Sequence, residues 1–416
     1  MMRQAVLQWR RKPENQRRLG VNDSGARGPC VPARSTLRCK VIDALCSKVG
    51  AIGVAVAMAF ATALPADDSS LEIHGFGGWA YARTNHNMYL GGLPEGNYRR
   101  SDLSLNLQDQ VSDRLRIVMQ TDWTESENGD STSLDFAFAE WRLSEKLRIR
   151  GGQIKLPFGI YSEIFDVGTL RPFLALPQAV YGPIGITGEN YQGIGITGAL
   201  SGRSGWSYGY DLYAGGLNLE EFVPPEAFLR GQSVASSSTD NQEESVRDLL
   251  GGRFTVRSPL DHLEFGASAY SGKLNESGSP RHSVGAASVS YLDDRWSIRT
   301  EYAYERSSRD LTVRGFYVEP AFRITQHWQV AGQYNNLQSS LSGVTNPSEP
   351  SFLNHREAAL GLNYWLSPKL VLKTSLHQVN GNRFAGPAPE TFAQLVAAGQ
   401  LQHKTALFMF GVNFSF

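Results

Sequence analysis

The stretch that decides the fold is Leu407-Phe408-Met409-Phe410-Gly411-Val412-Asn413-Phe414-Ser415-Phe416. Read two residues at a time it separates into two faces. Phe408, Phe410, Val412, Phe414 and Phe416 share one, and Leu407, Met409, Gly411, Asn413 and Ser415 the other. Successive side chains of an extended strand point to opposite sides, so the first set forms one continuous aromatic surface. In water such a terminal strand would invite aggregation. In a bilayer it is at home, provided a closed barrel pairs every backbone group and turns the aromatics toward lipid.

The same period of two runs back through the chain. Leu115, Ile117, Met119, Thr121 and Trp123 alternate with Arg116, Val118, Gln120 and Asp122; Trp296, Ile298, Thr300, Tyr302 and Tyr304 alternate with Ser297, Arg299, Glu301, Ala303 and Glu305. Each such run has one apolar and one wet face. The pattern predicts an all-β fold, a transmembrane antiparallel β-barrel of about 16 strands. Expected spans begin at 71–84, 100–111, 115–124, 133–143 and 147–155. They continue at 190–200, 205–215, 249–257, 262–272, 282–292, 295–306, 312–323, 327–337, 355–365, 369–379 and 404–416.

Composition agrees with a barrel and closes other routes. The 416 residues include 42 Gly, 16 Tyr, 20 Phe and 8 Trp, and mean hydropathy is −0.29. Such strands are half polar and hide from hydropathy, whereas helical spans need about twenty apolar residues in a row. Lys48 followed by the short apolar run Val49–Ala61 reads as a secretory signal, with cleavage expected after Ala66. The Arg-rich residues ahead of it read as a mis-assigned translation start, with the initiator near Val41. The domain expectation is therefore a leader over 1–66 and an outer-membrane β-barrel over 67–416. Cys30, Cys39 and Cys46 all fall in the leader, so the exported part lacks disulfides and thiol nucleophiles. Residues 1–66 hold 11 of the 40 Lys+Arg and 3 of the 40 Asp+Glu, which leaves 29 basic against 37 acidic residues, a formal −8. That acidic balance argues against a nucleic-acid partner.

Loop lengths give an independent test. Val111–Arg114, Leu143–Lys146, Leu292–Arg295, Ile324–His327 and Leu366–Lys369 read as tight turns, while the intervening connections are mostly longer, as at 85–99, 156–189, 216–248, 338–354 and 380–403. Short turns on one rim and long loops on the other is the outer-membrane barrel rule, and it puts both termini on the periplasmic rim.

One connection is unlike the rest. Residues 156–189 contain Pro157, Pro172, Pro177 and Pro183, so they cannot pair as a regular strand, yet they are rich in Phe, Ile, Leu and Tyr. A long apolar loop must bury itself, and the barrel interior is the place available. The passage Gly152-Gln153-Ile154-Lys155-Leu156-Pro157-Phe158-Gly159, followed by Glu163, resembles the G-x-x-K-x-P-F-G strand-to-loop passage of the phosphate-selective porin O/P-like family. Residues 145–200 carry this likeness as a motif and 71–416 only as architecture. The last strand, ending on Phe416, likewise resembles the assembly signal of outer-membrane barrels, with Phe408, Phe410, Phe414 and Phe416 as its residues. The resemblance implies a homotrimeric porin whose third extracellular loop folds inward to form the constriction. The partners implied are outer-membrane lipid, the barrel-assembly machinery and small hydrophilic solutes or anions. The dense basic run of anion-specific members is missing: Lys155 and Arg171 are accompanied by Glu163 and Asp166.

Strand phase points Arg116, Arg148, Arg150, Arg253, Arg299 and Lys373 into the lumen, and with Lys155, Glu163, Asp166 and Arg171 these are the expected pore and constriction residues. The Arg148/Arg150 pair leads into the loop and is the expected basic strip. No catalytic residue, cofactor or metal ligand is expected. Gly193-Ile194-Gly195-Ile196-Thr197-Gly198 fits a dinucleotide motif, but no helix follows it. No pair among the eight His has zinc spacing. Ser375 and His377 share a face, which is the lumen rather than the lipid side, so a lipid hydrolase is not expected. The alternatives carried forward are a phosphate- or oxyanion-selective channel and a surface receptor or adhesin built on the loops.

Overall fold

The computed structural model describes residues 71–126, 129–182, 186–221, 242–260, 262–274, 281–307, 311–342, 350–388, 391, 394–396 and 398–416. The expected leader lies outside them. Sixteen antiparallel strands close into one barrel, each pairing with its sequence neighbours and the first with the last. In order they are β1 Glu72–Thr84, β2 Ser101–Ser112, β3 Leu115–Ser126, β4 Gly129–Ser144, β5 Leu147–Lys155, β6 Asn190–Ser201, β7 Ser207–Glu221 and β8 Gln242–Arg257. They continue as β9 Leu263–Leu274, β10 Arg281–Leu292, β11 Trp296–Ser307, β12 Leu311–Arg323, β13 Trp328–Leu341, β14 Asn354–Ser367, β15 Leu370–Asn380 and β16 Lys404–Ser415.

Most boundaries fall within two residues of expectation, but β4, β7, β8 and β13 run four to seven residues further toward the long-loop rim. The backbone ladder continues there from Glu220 to Glu243 and from Glu125 to Asp130. Polar residues on both faces carry no alternation to read, so the sequence pattern stops where the hydrogen bonds do not. The β3–β4 ladder runs to the pair Ser126–Gly129 at that rim.

Five tight turns of the other rim share one device, a side-chain oxygen that accepts the turn's free amides. Asp293 Oδ1 accepts from Arg295 N at 2.7 Å and Trp296 N at 2.6 Å. Thr325 Oγ1 accepts from His327 and Trp328. Ser112, Ser144 and Ser367 each accept from an amide two or three residues on. Asp, Ser and Thr at these positions stabilise the turn locally, which is why the turns were readable.

The barrel wall is apolar outside, with Leu360 72%, Leu250 69%, Ile194 63% and Leu376 63% exposed. Trp141, Trp206, Trp296 and Trp328 stand exposed near the short-turn rim, a girdle of the kind found where lipid meets headgroups. In β16, Phe408 and Phe410 are on this outer face while Leu407 and Met409 are buried inside. Closure is completed at the terminus, where Phe416 N donates to Gly75 O at 2.8 Å, and the Phe416 ring occupies the space a side chain at Gly75 would need.

Candidate pore and its constriction

The third long-rim loop, L3 (156–189), turns into the barrel and brings its apolar residues with it. Leu156, Phe158, Tyr161, Leu176, Ala179, Val180 and Tyr181 are buried. They pack against inward residues of β6 to β13, among them Tyr191, Tyr213, Tyr270, Tyr317 and Leu337. Within L3 are two 3₁₀ turns, Ser162–Ile164 and Gly168–Leu170, and one helical turn, α1, Gln178–Tyr181. Glycines admit the loop from both sides: on the wall, a Cβ at Gly315 would overlap the Ala179 carbonyl oxygen and one at Gly361 would press on the Phe173 ring, and in L3 itself one at Gly159 would overlap Glu301.

Polar anchors fix the loop where apolar packing leaves off. Lys373, 2% exposed, donates from Nζ to the carbonyls of Gly168 at 2.6 Å and Arg171 at 2.7 Å. Asn363 donates to Pro172 O at 2.9 Å. Tyr181 donates to Glu301 at 2.7 Å and receives the amides of Ile160 and Tyr161; Tyr161 donates to Glu319. Burial pushes the phenols of Tyr161 and Tyr181 well above their ordinary value, with the neighbouring carboxylates acting the same way, so both stay protonated donors.

Two charged groups remain on the arc from β2 to β5. In the first, three arginines share one carboxylate. Glu140 accepts from Arg150 at 2.8 Å and Arg116 at 3.0 Å, and Arg148 lies at 3.8 Å. The register explains it, since Arg116 sits opposite Glu140 and Glu140 opposite Arg150. The arginine side chains are 32%, 38% and 17% exposed for Arg116, Arg148 and Arg150, against 6% for Glu140. What faces the opening is therefore guanidinium, with two positive charges in excess.

The second group is the root of L3. Lys155 Nζ lies 2.8 Å from both Asp135 and Asp166 and also bonds Glu189. Gln120 donates to Asp135 at 2.7 Å and to Asp166 at 3.0 Å, and Asp122 completes a set of carboxylate oxygens within 4.8 Å. Asp135 belongs by simple alternation to the outer face. A β-bulge between Gln120 and Thr121 turns it inward. The Lys155 ammonium sits where a cation would satisfy these carboxylates, which makes the group a salt-bridged joint. Desolvation at the loop root pushes the Glu189 carboxyl up to about 7, against the pull of Lys155, although about a third of its side chain is exposed.

The residues singled out from sequence thus divide. Arg116, Arg148 and Arg150 meet on one wall. Lys155 and Asp166 meet at the joint. Glu163 is held by Arg253 at 2.6 Å, which also binds Asp211. Arg171 donates to Phe165 O at 2.7 Å. Arg299 contacts Leu170 O and Glu319 and lies over the Tyr161 ring. Arg253, Arg299 and Lys373 point inward as phase predicts, but they hold L3 or its anchors instead of lining an open wall. Sequence reasoning passed over Asp135, Glu189, Glu319 and Tyr161. Asp135 was hidden by the bulge; for the others no local pattern marks a residue that finds its partner more than thirty positions away. Ser375 and His377 are also joined, Ser375 Oγ to His377 Nε2 at 2.7 Å and His377 Nδ1 to Glu357 at 2.6 Å. All three are buried, and the Phe173 ring lies edge-on to His377.

A closed 16-stranded barrel with an infolded third loop and a charged residual arc defines a porin-like β-barrel of the outer-membrane type. No protein-family model matches the chain. It is similar to an uncharacterized protein of Aquifex aeolicus, 25% identical, with 59% of this chain and 61% of that protein covered, so it spans less than two thirds of that relative's length. Among solved structures it is similar to OmpT, an outer-membrane protein of Vibrio cholerae (TM-score 0.53, 9% identity, 85% of this chain and 99% of that one). It is likewise similar to an anion-selective porin from Comamonas acidovorans (0.51, 12%, 84% and 100%) and to the outer-membrane channel DcaP of Acinetobacter baumannii (0.53, 10%, 84% and 97%). At these identities the likeness concerns the fold.

Proposed function

We propose that the protein is a passive diffusion channel of the bacterial outer membrane, passing small polar solutes with a preference for anions. The observation that carries this reading is the two-sided lumen. L3 covers an apolar arc from β6 to β13 and leaves an arc of Asn106, Gln108, Arg116, Arg148 and Arg150, all partly exposed. A polar strip beside a fixed loop is what a hydrated passage needs, and focused positive potential in a narrow pore favours anions. The resemblance of Gly152–Gly159 to the phosphate-selective porin O/P-like passage supports the placement of the constriction, and the fold likeness to an anion-selective porin is consistent with the sign. A phosphate site on L3 itself has less support, because Lys155 is occupied by Asp135, Asp166 and Glu189 and Arg171 by a loop carbonyl. We propose 1–66 as a leader made of a mis-assigned start region and a cleaved signal peptide, the short-turn rim in the periplasm, and Phe408, Phe410, Phe414 and Phe416 as the face read by the assembly machinery on the way to a homotrimer.

Planar-bilayer recording across a salt gradient tests this. Discrete conductance steps with an anion-selective reversal potential are expected, and Arg148→Glu with Arg150→Glu should move that potential toward cations. No steps from folded protein would end the channel reading.

A further inference from the structure

Outside the lumen, the barrel carries a groove of about 930 Å³ that neither the strands nor L3 explain. It runs over β12 to β16 and the edge of β1. Its floor is made by small residues, Gly332, Ala358 and Ala406, and its walls by Tyr334, Leu360 and Leu376 among others. The register shows why the depression is continuous. Gly332 lies opposite Leu360, Leu360 opposite Leu376, and Leu376 opposite Phe408, while Ala358 and Ala406 flank Gln378 in the next row. Large residues on one row thus overhang small ones on the next.

The groove has a charged end. One row further toward the long-loop rim, Arg356 stands opposite Asn380 and Asn380 opposite Lys404, all three exposed on the outer face. Arg83, opposite Phe408 on β1, reaches the groove from its other side and is held there by its bond to the Pro94 carbonyl at 3.1 Å. Arg314 and Arg306 also face outward, on β12 and β11, one and two rows closer to the long-loop rim. Among the described residues, no carboxylate pairs with Arg306, Arg314, Arg356 or Lys404. Cations facing away from the lumen, one row above an apolar groove, are complementary to a molecule with an anionic head and an apolar tail.

We infer that this face binds a phosphate-bearing lipid, with an acyl chain in the groove and the phosphate between Arg356 and Lys404, which share one row two strands apart. The inference rests on the membrane reading given above. Juxtaposed cations each add modestly to binding of an anionic headgroup, and the chain adds in proportion to its buried length.

The test is native mass spectrometry of the full protein released from neutral detergent micelles, using phosphatidylglycerol and phosphatidylcholine of identical chains. Phosphatidylglycerol should be retained about ten-fold more, as two exposed charge pairs permit. The double variant R356Q/K404Q should abolish the preference while leaving conductance unchanged, because neither residue faces the lumen. Equal retention of the two lipids, or a preference that survives the variant, would overturn the proposal. So would a groove filled by a second copy, seen as an oligomer that dissociates in L360N/L376N without any change in lipid retention. Selective lipid retention without conductance steps would instead remove the channel reading and leave the lipid site standing.

Discussion

Individual side chains in this lumen act through shared partners. Glu140 holds three arginines and Lys155 joins three carboxylates, so removing one member changes the charge felt by all. Glu189 makes this testable by pH. Its carboxyl is pushed up to about 7, above the ordinary glutamate value near 4.3, so it is neutral at pH 5.5 and ionised at pH 8.5. Raising the pH through 7 adds a negative charge at the mouth of L3, and anion preference should fall over that window. The shift should be absent in Glu189→Gln. A reversal potential flat with pH in the unaltered channel would contradict the assignment.

At the scale of elements, L3 and β16 were both visible in the sequence but for different reasons. The L3 apolar residues and prolines said that the loop was buried and not a strand; they could not say against what. The structure supplies the wall, and its glycines are where the two meet. Gly315→Leu puts a side chain where the Ala179 carbonyl lies. The overpacking should cost about 1–3 kcal/mol and push α1 off β12, widening the passage. Higher single-channel conductance and a lower denaturant midpoint in lipid vesicles are the expected readings. In β16, deletion of Phe416 removes the backbone pair with Gly75 and uncovers that glycine. Folded yield in the outer membrane should drop while any assembled channels conduct normally. An unchanged yield would separate the terminal aromatic from assembly.

For the molecule as a whole, the lumen is divided between a loop-filled apolar half and a charged half, and the anion preference proposed above rests on that division. The excess of guanidinium over carboxylate at Glu140 acts on a solute through water, so its effect must weaken with salt. The Debye length is about 10 Å at 0.1 M and about 3 Å at 1 M. The reversal-potential shift expected for Arg148→Glu with Arg150→Glu should accordingly shrink between those concentrations. A shift independent of salt would mean that L3 had moved.

The sequence by itself determined the strand count, the phase of the outward apolar face, the tight turns and the infolding of L3. Each rests on local physics: period-two alternation, an Asp, Ser or Thr oxygen capping its own turn, and prolines that forbid pairing. Strand ends were legible only while alternation lasted, so the upper parts of β7 and β8 were missed. The Arg148/Arg150 pair was singled out by strand phase, and Lys155 and Asp166 by their place in the proline-rich loop passage. Which of them meet was decided by tertiary structure alone. A bulge opposite Gln120 brought Asp135 inward, the barrel register set Arg116 and Arg150 on either side of Glu140, and closure placed Lys373 under a loop 200 residues earlier in the chain. Charge pairing depends on distance in space, and only the closed barrel fixes those distances.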